Sequence, residues 1–265
     1  MTKTALVTGG ARGIGRACAL ALADSGFDIA LVDLLEREMA ATARDIEARG
    51  KRTLTFQADV SDFARAHAIV EQINAKWGHL DVLLNNAGAP NPKPILEITE
   101  AEFDRTIAIN LKGCFNFIHA AAPIMLKQDL GGRIISISSI NALSGGVTSA
   151  VSKHAYAAAK AGILGLTRSL AKELGPKVSV NAICPGIIAT DLLRGLLSHR
   201  EAELTAGIAM GRVGTPEDVA SIVRYLAVEA HMFMTGQHFV VDGFQWSCCE
   251  HTPAAAPFPK TNSAA

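Results

Sequence analysis

The stretch Thr4-Ala5-Leu6-Val7-Thr8-Gly9-Gly10-Ala11-Arg12-Gly13-Ile14-Gly15 decides how the rest of the chain is read. Ala5-Leu6-Val7 has the character of a buried strand, the glycines after Thr8 form a turn, and Gly13 to Ser25 reads as a helix. A strand, a glycine-rich turn and a helix in that order bring backbone N–H groups and the positive end of a helix to one point, which suits a pyrophosphate. The spacing is Gly-x3-Gly-x-Gly rather than Gly-x-Gly-x-x-Gly, and a glycine cluster alone is also what any tight turn uses. Asp33 narrows the choice. It closes the next apolar run, Ile29-Ala30-Leu31-Val32, where a carboxylate can accept both hydroxyls of an adenosine ribose.

Working outward, short apolar runs alternate with helical patterns along most of the chain. Glu36 to Arg49 is a charged helical stretch, Thr53 to Phe56 a third strand, and about Asp62 to Trp77 a helix. Val82 to Leu84 is a fourth strand, about Glu100 to Lys127 one long helix, and Ile134 to Ile137 a fifth strand. A helix over Tyr156 to Leu174, a strand over Val178 to Ile183, a helix from near Pro216 and a last strand over His238 to Val241 complete the series. Short continuous apolar strands separated by helices predict an α/β fold: a parallel, seven-stranded, doubly wound sheet with helices on both faces. Residues 1–246 read as one such domain. Residues 247–265, rich in Ala, Pro, Ser and Thr, read as a flexible tail.

Composition excludes several classes. The chain carries 25 basic and 25 acidic residues, so it shows no electrostatic footprint for nucleic acid or an anionic membrane. No run approaches the ~18 uninterrupted apolar residues of a membrane helix, and Met1 to Val7 is too short for a secretory signal. Cys18, Cys114, Cys184, Cys248 and Cys249 have neither metal-ligand spacing nor the pattern of a disulfide scaffold. The expectation is a cytoplasmic protein with no metal, the first three cysteines acting as small core residues.

Chemistry is suggested by Tyr156-Ala157-Ala158-Ala159-Lys160. On a helix the tyrosine and lysine share one face. A free phenol has a pKa near ~10, too high for efficient proton transfer at neutral pH, and a nearby ammonium favours the phenolate. The pair is a weak signal alone, but one of only two tyrosines in the chain stands here, after Ser136-Ile137-Ser138-Ser139.

With these motifs in order the chain resembles the short-chain dehydrogenase/reductase family over about Thr4 to Gly243. The resemblance is carried by Thr8 to Gly15, Asp59-Val60, Asn85-Asn86-Ala87-Gly88, Asn110, Ser139, Tyr156 with Lys160, and Pro185-Gly186-Ile187-Ile188-Ala189-Thr190. It implies a Rossmann-type domain with Tyr156 as proton donor or acceptor. Lys160 would lower the phenol pKa and contact the nicotinamide ribose. Ser139, preferred to Ser138, would bond the substrate oxygen, and Asn110 would hold a water that relays protons from Lys160. Gly9, Arg12, Gly13, Ile14, Gly15, Asp33, Asp59, Val60, Asn86, Ala87 and Gly88 would line the adenosine and diphosphate side, with Pro185, Gly186, Ile188 and Thr190 toward the nicotinamide. The family needs no metal, because hydride passes between substrate carbon and a nicotinamide ring. His154 reads as a loop residue at the pocket rim and His119 as structural. Sixteen residues separate Ser139 from Tyr156, more than is usual in the family, and the excess lies in 143–153.

The expected reaction is hydride transfer between NAD(H) and a secondary alcohol or ketone, such as a sugar, polyol or small hydroxy compound. Asp33 with Leu34 and Leu35 behind it argues for NAD, while Arg12 argues for NADP. Asp191 to Arg212, with Leu192, Leu193, Leu196 and Leu197 beside Arg194, His199 and Arg200, reads as a substrate lid. The rival enzyme reading is an NADP(H)-dependent reductase of 3-oxoacyl thioesters on a carrier protein, for which Lys172 would serve docking but Lys127-Gln128-Asp129 is mixed. A nucleotide-binding sensor or scaffold is the reading outside enzymology, opposed by the presence of both Tyr156 and Lys160. Resemblance and the apolar ending Phe239-Val240-Val241 with Phe244 and Trp246 predict a homotetramer, the helices from Glu100 and Tyr156 forming its other interface.

Overall fold

The computed structural model of the chain describes residues 2–145, 152–190, 204–205, 207–229 and 233–245. Seven strands, β1 (Thr4–Thr8), β2 (Asp28–Asp33), β3 (Thr53–Gln57), β4 (Val82–Asn85), β5 (Gly132–Ile137), β6 (Val178–Pro185) and β7 (His238–Val241), form one sheet in the order β3-β2-β1-β4-β5-β6-β7. Every neighbouring pair is parallel. Their continuous apolar character follows, since a parallel sheet covered on both faces buries successive side chains in opposite directions. In β1, Leu6 joins one core while Ala5 and Val7 join the other.

The first core packs the sheet against α3 (Phe63–Trp77), α5 (Gly113–Lys127) and α7 (His154–Leu174). The second packs it against α1 (Gly13–Asp24), α2 (Glu36–Glu47) and α8 (Pro216–Val228). Local sequence sets the ends of these helices. The Asp62 carboxylate accepts from Arg65 N at the start of α3, and Gly78 ends that helix at φ 82°. Thr215 and Asp218 form a reciprocal capping box on α8, with Pro216 behind the cap.

One expectation is corrected. The single helix over Glu100 to Lys127 is α4 (Glu100–Ile107), a π-helical turn over Ala108–Lys112, and then α5. The interruption centres on Asn110, whose side-chain amide donates to Thr106 O at 2.9 Å and to Ala89 O at 3.0 Å and accepts from Ala89 N at 3.1 Å. A polar side chain inserted into a helical hydrogen-bond ladder is a usual cause of such a bulge. A short helix, α6 (Asn141–Ser144), was not foreseen because its four residues carry no periodicity. No helix among the described residues is long and apolar enough to cross a membrane.

The sheet order reverses between β1 and β4. Chain crossovers leave to opposite faces there, so a crevice opens at the strands' carboxyl ends. The glycine turn, the Asn85–Gly88 turn and the end of β5 all emerge at this crevice.

Candidate active site

A cleft of about 580 Å³ lies at that switch point, bounded by Asp33, Leu34 and Asp59 at one end and by Ser139, Tyr156, Lys160 and Pro185–Ile188 at the other. Between them it is lined by Gly9, Arg12, Gly13, Ile14, Asn86, Ala87, Gly88 and Thr190, with Val60 also in its wall. Nearly all the residues singled out in the sequence therefore meet in one space.

The glycine turn is shaped from behind. Gly9 and Gly13 adopt φ of 66° and 55°, the left-handed region that other residues rarely occupy. A Cβ on Gly9 would stand 2.8 Å from Ala87 Cα. The buried Thr8 hydroxyl accepts from Asn86 N at 3.0 Å and Ala87 N at 3.1 Å, and the Asn86 amide donates to Thr8 O and Gly9 O at 3.1 and 3.0 Å. The two turns are thus one hydrogen-bonded unit, and Thr8 is a member that residue-type reasoning missed. Asp33 also supports it: its carboxylate accepts from Ala11 N at 2.9 Å and Leu35 N at 3.0 Å. Arg12 precedes α1 in extended conformation without capping the helix with its side chain. The first-turn residues Gly13 and Ile14 face the cleft. An uncapped helix start beside two left-handed glycines fits a diphosphate.

Gly15 stands behind the glycine turn. It does not line the cleft; a Cβ there would stand 2.0 Å from Gly9 O and 2.5 Å from the Asn86 amide nitrogen. Its smallness lets α1 close onto the turn. Asn110 is likewise outside the main cleft. It borders a small internal space with Lys160 and Cys114, and its side chain is committed to Ala89 and Thr106.

At the far end, Ser139 and Tyr156 both line the cleft, and the serine hydroxyl favours the phenolate. Burial pushes the Tyr156 phenol up to about 12, partly opposed by Ser139, and burial pushes the Lys160 ammonium down to about 8. Lys160 Nζ donates to Ile137 O at 2.8 Å and lies 5.5 Å from the Tyr156 ring centre. In this geometry the ammonium does not offset the desolvation of the phenol. Ser138 is buried and donates to Lys160 O at 2.8 Å, which ties β5 to α7 and leaves Ser139 as the serine whose hydroxyl acts on Tyr156.

His154 begins α7 rather than lying in a loop, and it is not part of the cleft wall. His119 is exposed and pairs with His67 at 3.0 Å beside Phe63 and Phe115. Cys18, Cys114 and Cys184 are buried, with burial raising each thiol pKa. No cluster of metal-ligating side chains occurs among the described residues. Most of the expected lid, residues 191–203, and the loop 146–151 lie outside the described residues, as do Trp246, Cys248, Cys249 and the tail. Arg105 and Asn141 also line the cleft; neither stands in a motif that residue chemistry alone would single out.

Comparison with known proteins defines the class. A family model described as enoyl-(acyl carrier protein) reductase matches residues 9–243. The chain is 39% identical over 245 residues to a Staphylococcus aureus 3-oxoacyl-[acyl-carrier-protein] reductase FabG, covering 92% of this chain and 98% of that protein. It is 37% identical over 257 residues to L-2,3-butanediol dehydrogenase of Corynebacterium glutamicum, with the same coverage. A short-chain dehydrogenase/reductase crystal structure from Mycobacterium marinum superposes with a TM-score of 0.86 at 32% identity, over 92% of this chain and 95% of that one. The chain belongs to the short-chain dehydrogenase/reductase family. It is an NAD(P)-dependent oxidoreductase acting on CH–OH and C=O groups.

Proposed function

We propose that the protein interconverts a small polar secondary alcohol and its ketone with NAD(H), and that Tyr156, Ser139, Lys160 and Asn110 serve the reaction. The observation that carries this is the arrangement of the cleft, whose wall holds the Asp33 carboxylate together with Ser139, Tyr156 and Lys160. A bound nicotinamide cofactor supplies or accepts the hydride. Tyr156 gives the proton to the nascent alkoxide oxygen, or takes it in the reverse direction, and Ser139 holds that oxygen and steadies its charge. Lys160, already desolvated beside Ile137 O, presents its ammonium behind the phenol. Asn110 holds the π turn through its side chain, and such a turn leaves a backbone carbonyl without its usual helical donor. A proton relay at this residue would run by a carbonyl.

Asp33 supports NAD. The carboxylate repels a 2′-phosphate, and unit like charges within a few ångströms cost on the order of 1–4 kcal/mol across the water-to-surface dielectric range. Leu34 and Leu35 supply no opposing cation. The likeness to a 2,3-butanediol dehydrogenase supports a small polyol or hydroxyketone. The second reading, reduction of 3-oxoacyl thioesters with NADPH, is favoured by Arg12 in the cleft wall and by the likeness to FabG. Comparing kcat/KM for acetoin and acetoacetyl-coenzyme A, each with NADH and NADPH, separates them. A preference for NADH with acetoin is expected; a preference for NADPH with the thioester would replace the first reading by the second. Failure to turn over any alcohol or ketone would leave only a nucleotide-binding role.

The domain is proposed to span 1–246 and to assemble as a homotetramer. Exposed Phe103 on α4, Phe115 on α5, and Val240 and Phe244 at the β7 edge support that assembly. A monomeric mass by light scattering would overturn it.

A further inference from the structure

Cys114 is a buried thiol that the proposed reaction does not use, and it stands beside a group on which that reaction depends. It lies in the first turn of α5, just past the π turn, and borders the small internal space that Lys160 also borders. Its Sγ is 3.4 Å from the Ser136 hydroxyl, and the Asn85 amide donates to the same hydroxyl at 3.4 Å. A hydroxyl oxygen has lone pairs for two donors. With its S–H spent on Ser136, Cys114 is left with its sulfur lone pairs as acceptors at the space. Asn85 borders the space as well, and its buried Oδ1 has no hydrogen-bond partner among the described residues. The inner side of Lys160 is therefore lined by acceptors, a thiol sulfur and an amide oxygen.

Lys160 needs such a lining. Its ammonium carries three donors, and Nζ donates to Ile137 O at 2.8 Å. Lys160 stands in the wall of the cleft on one side and of the internal space on the other, so the donors not spent on Ile137 are divided between the two. We infer that Cys114 is a positioning residue: its thiol, held by Ser136, is the inner acceptor that keeps the buried Lys160 in its ammonium form. The inference rests on the reading that Lys160 serves the reaction as a cation. A sulfur is a weak acceptor, but it is polarisable and costs little to bury, so it supports a charge without drawing water into the core. The titratable side chains that act on the ammonium are Cys114 from α5, Cys184 from β6 and Tyr156 from its own helix. Burial drives Lys160 toward the neutral amine, and Cys114, ahead of Cys184, opposes that drift.

The test is urea unfolding without nucleotide between about pH 6.5 and 10, each protein paired with its own Lys160→Met counterpart. The proteins are the wild type, Cys114→Val, Cys114→Ala and Cys114→Ser, and the pairing cancels the titration of the thiol itself. In wild type the stability difference should begin to rise near pH 8, where the buried Lys160 loses its proton. In Cys114→Val the rise should begin about half a pH unit lower, about a three-fold change in the ratio of charged to neutral amine and the worth of one weak hydrogen bond. Cys114→Ala adds no bulk, should shift the same way, and decides the matter if the valine variant does not fold. Cys114→Ser keeps an acceptor and should stay near the wild-type position. The alkaline limb of kcat/KM for acetoin with NADH should move down by the same step in Cys114→Val and Cys114→Ala. A thiol that only filled space would change the melting temperature and leave both curves in place. An unfolding window unmoved in both Cys114→Val and Cys114→Ala overturns the inference. A moved window with an unmoved alkaline limb leaves Cys114 acting on Lys160 and overturns instead the reading that the lysine's charge serves the reaction.

Discussion

Replacing Gly15 by alanine separates a packing glycine from a ligand-contacting one. The added Cβ would meet Gly9 O at 2.0 Å, Gly9 C at 2.8 Å and the Asn86 amide nitrogen at 2.5 Å. Two of those three atoms are backbone, so no side-chain rotation relieves the clash; α1 or the glycine turn must move. Overpacking of this kind costs about 1–3 kcal/mol. Displacing the Asn86 amide also weakens its bonds to Thr8 O and Gly9 O, each worth about 1 kcal/mol. The sum, about 2–4 kcal/mol, corresponds to a fall in melting temperature of about 5–12 °C for a domain of this size. Differential scanning calorimetry without added nucleotide reads it directly. A melting temperature within about 1 °C of wild type, together with weakened dinucleotide binding, would refute the reasoning and return Gly15 to the ligand side.

Other substitutions probe the remaining links. Thr8→Val removes the acceptor shared by Asn86 N and Ala87 N; urea unfolding should show a loss of about 2–4 kcal/mol, since each stranded donor costs about 1–3 kcal/mol, and a negligible loss would mean water replaces the hydroxyl. Tyr156→Phe keeps the ring and removes the proton; kcat should fall by about 10²–10⁴-fold while the NADH Kd measured by fluorescence stays near wild type. Lys160 has a folded-state pKa lowered from 10.5 to about 8 by burial. The unfolded chain therefore binds the extra proton between about pH 8 and 10.5, and stability rises with pH across that window. Tyr156, raised from 10.0 to about 12, acts oppositely above pH 10. Relative to Lys160→Met, the wild type should gain stability from pH 8 to 10 in paired urea titrations, and parallel curves would show that Lys160 is not desolvated as described.

The fold was legible because parallel strands buried on both faces need continuous apolar runs, and β1, β2 and β4 supply little else. The predicted strands fell within the observed ones and mostly stopped short, because polar end residues such as Thr4, Asp28 and Asn85 do not look like core. Asp28 is buried nonetheless: Arg52 donates to it from its backbone and its guanidinium, across the sheet from β2 to the approach to β3. The π turn at Asn110 was invisible for a different reason. The residues on either side keep a helical pattern, and the bulge arises from a contact with Ala89, distant in sequence, which periodicity cannot register.

The site was legible in its chemistry and much less so in its construction. Asp33 was read as facing a ligand from what its carboxylate can accept, and Asn86 and Asp59 from the resemblance to the family. In the folded chain each first satisfies protein groups: Asp33 holds Ala11 and Leu35, Asn86 holds Thr8 and Gly9, and Asp59 is held by Ser61 and Arg105. The glycine turn has few side chains of its own, so its shape has to be imposed by neighbours whose sequence positions lie 22 to 79 residues away. A rigid acceptor or donor array must be built before it can select a ligand, because a mobile one loses in ordering entropy what it gains in contact. The same side chains therefore serve both tasks. Their substitution will lower stability and affinity together, whereas variants of the partners behind them, Thr8 and Ser61, vary the rigidity of the site while leaving the Asn86 and Asp59 side chains in place.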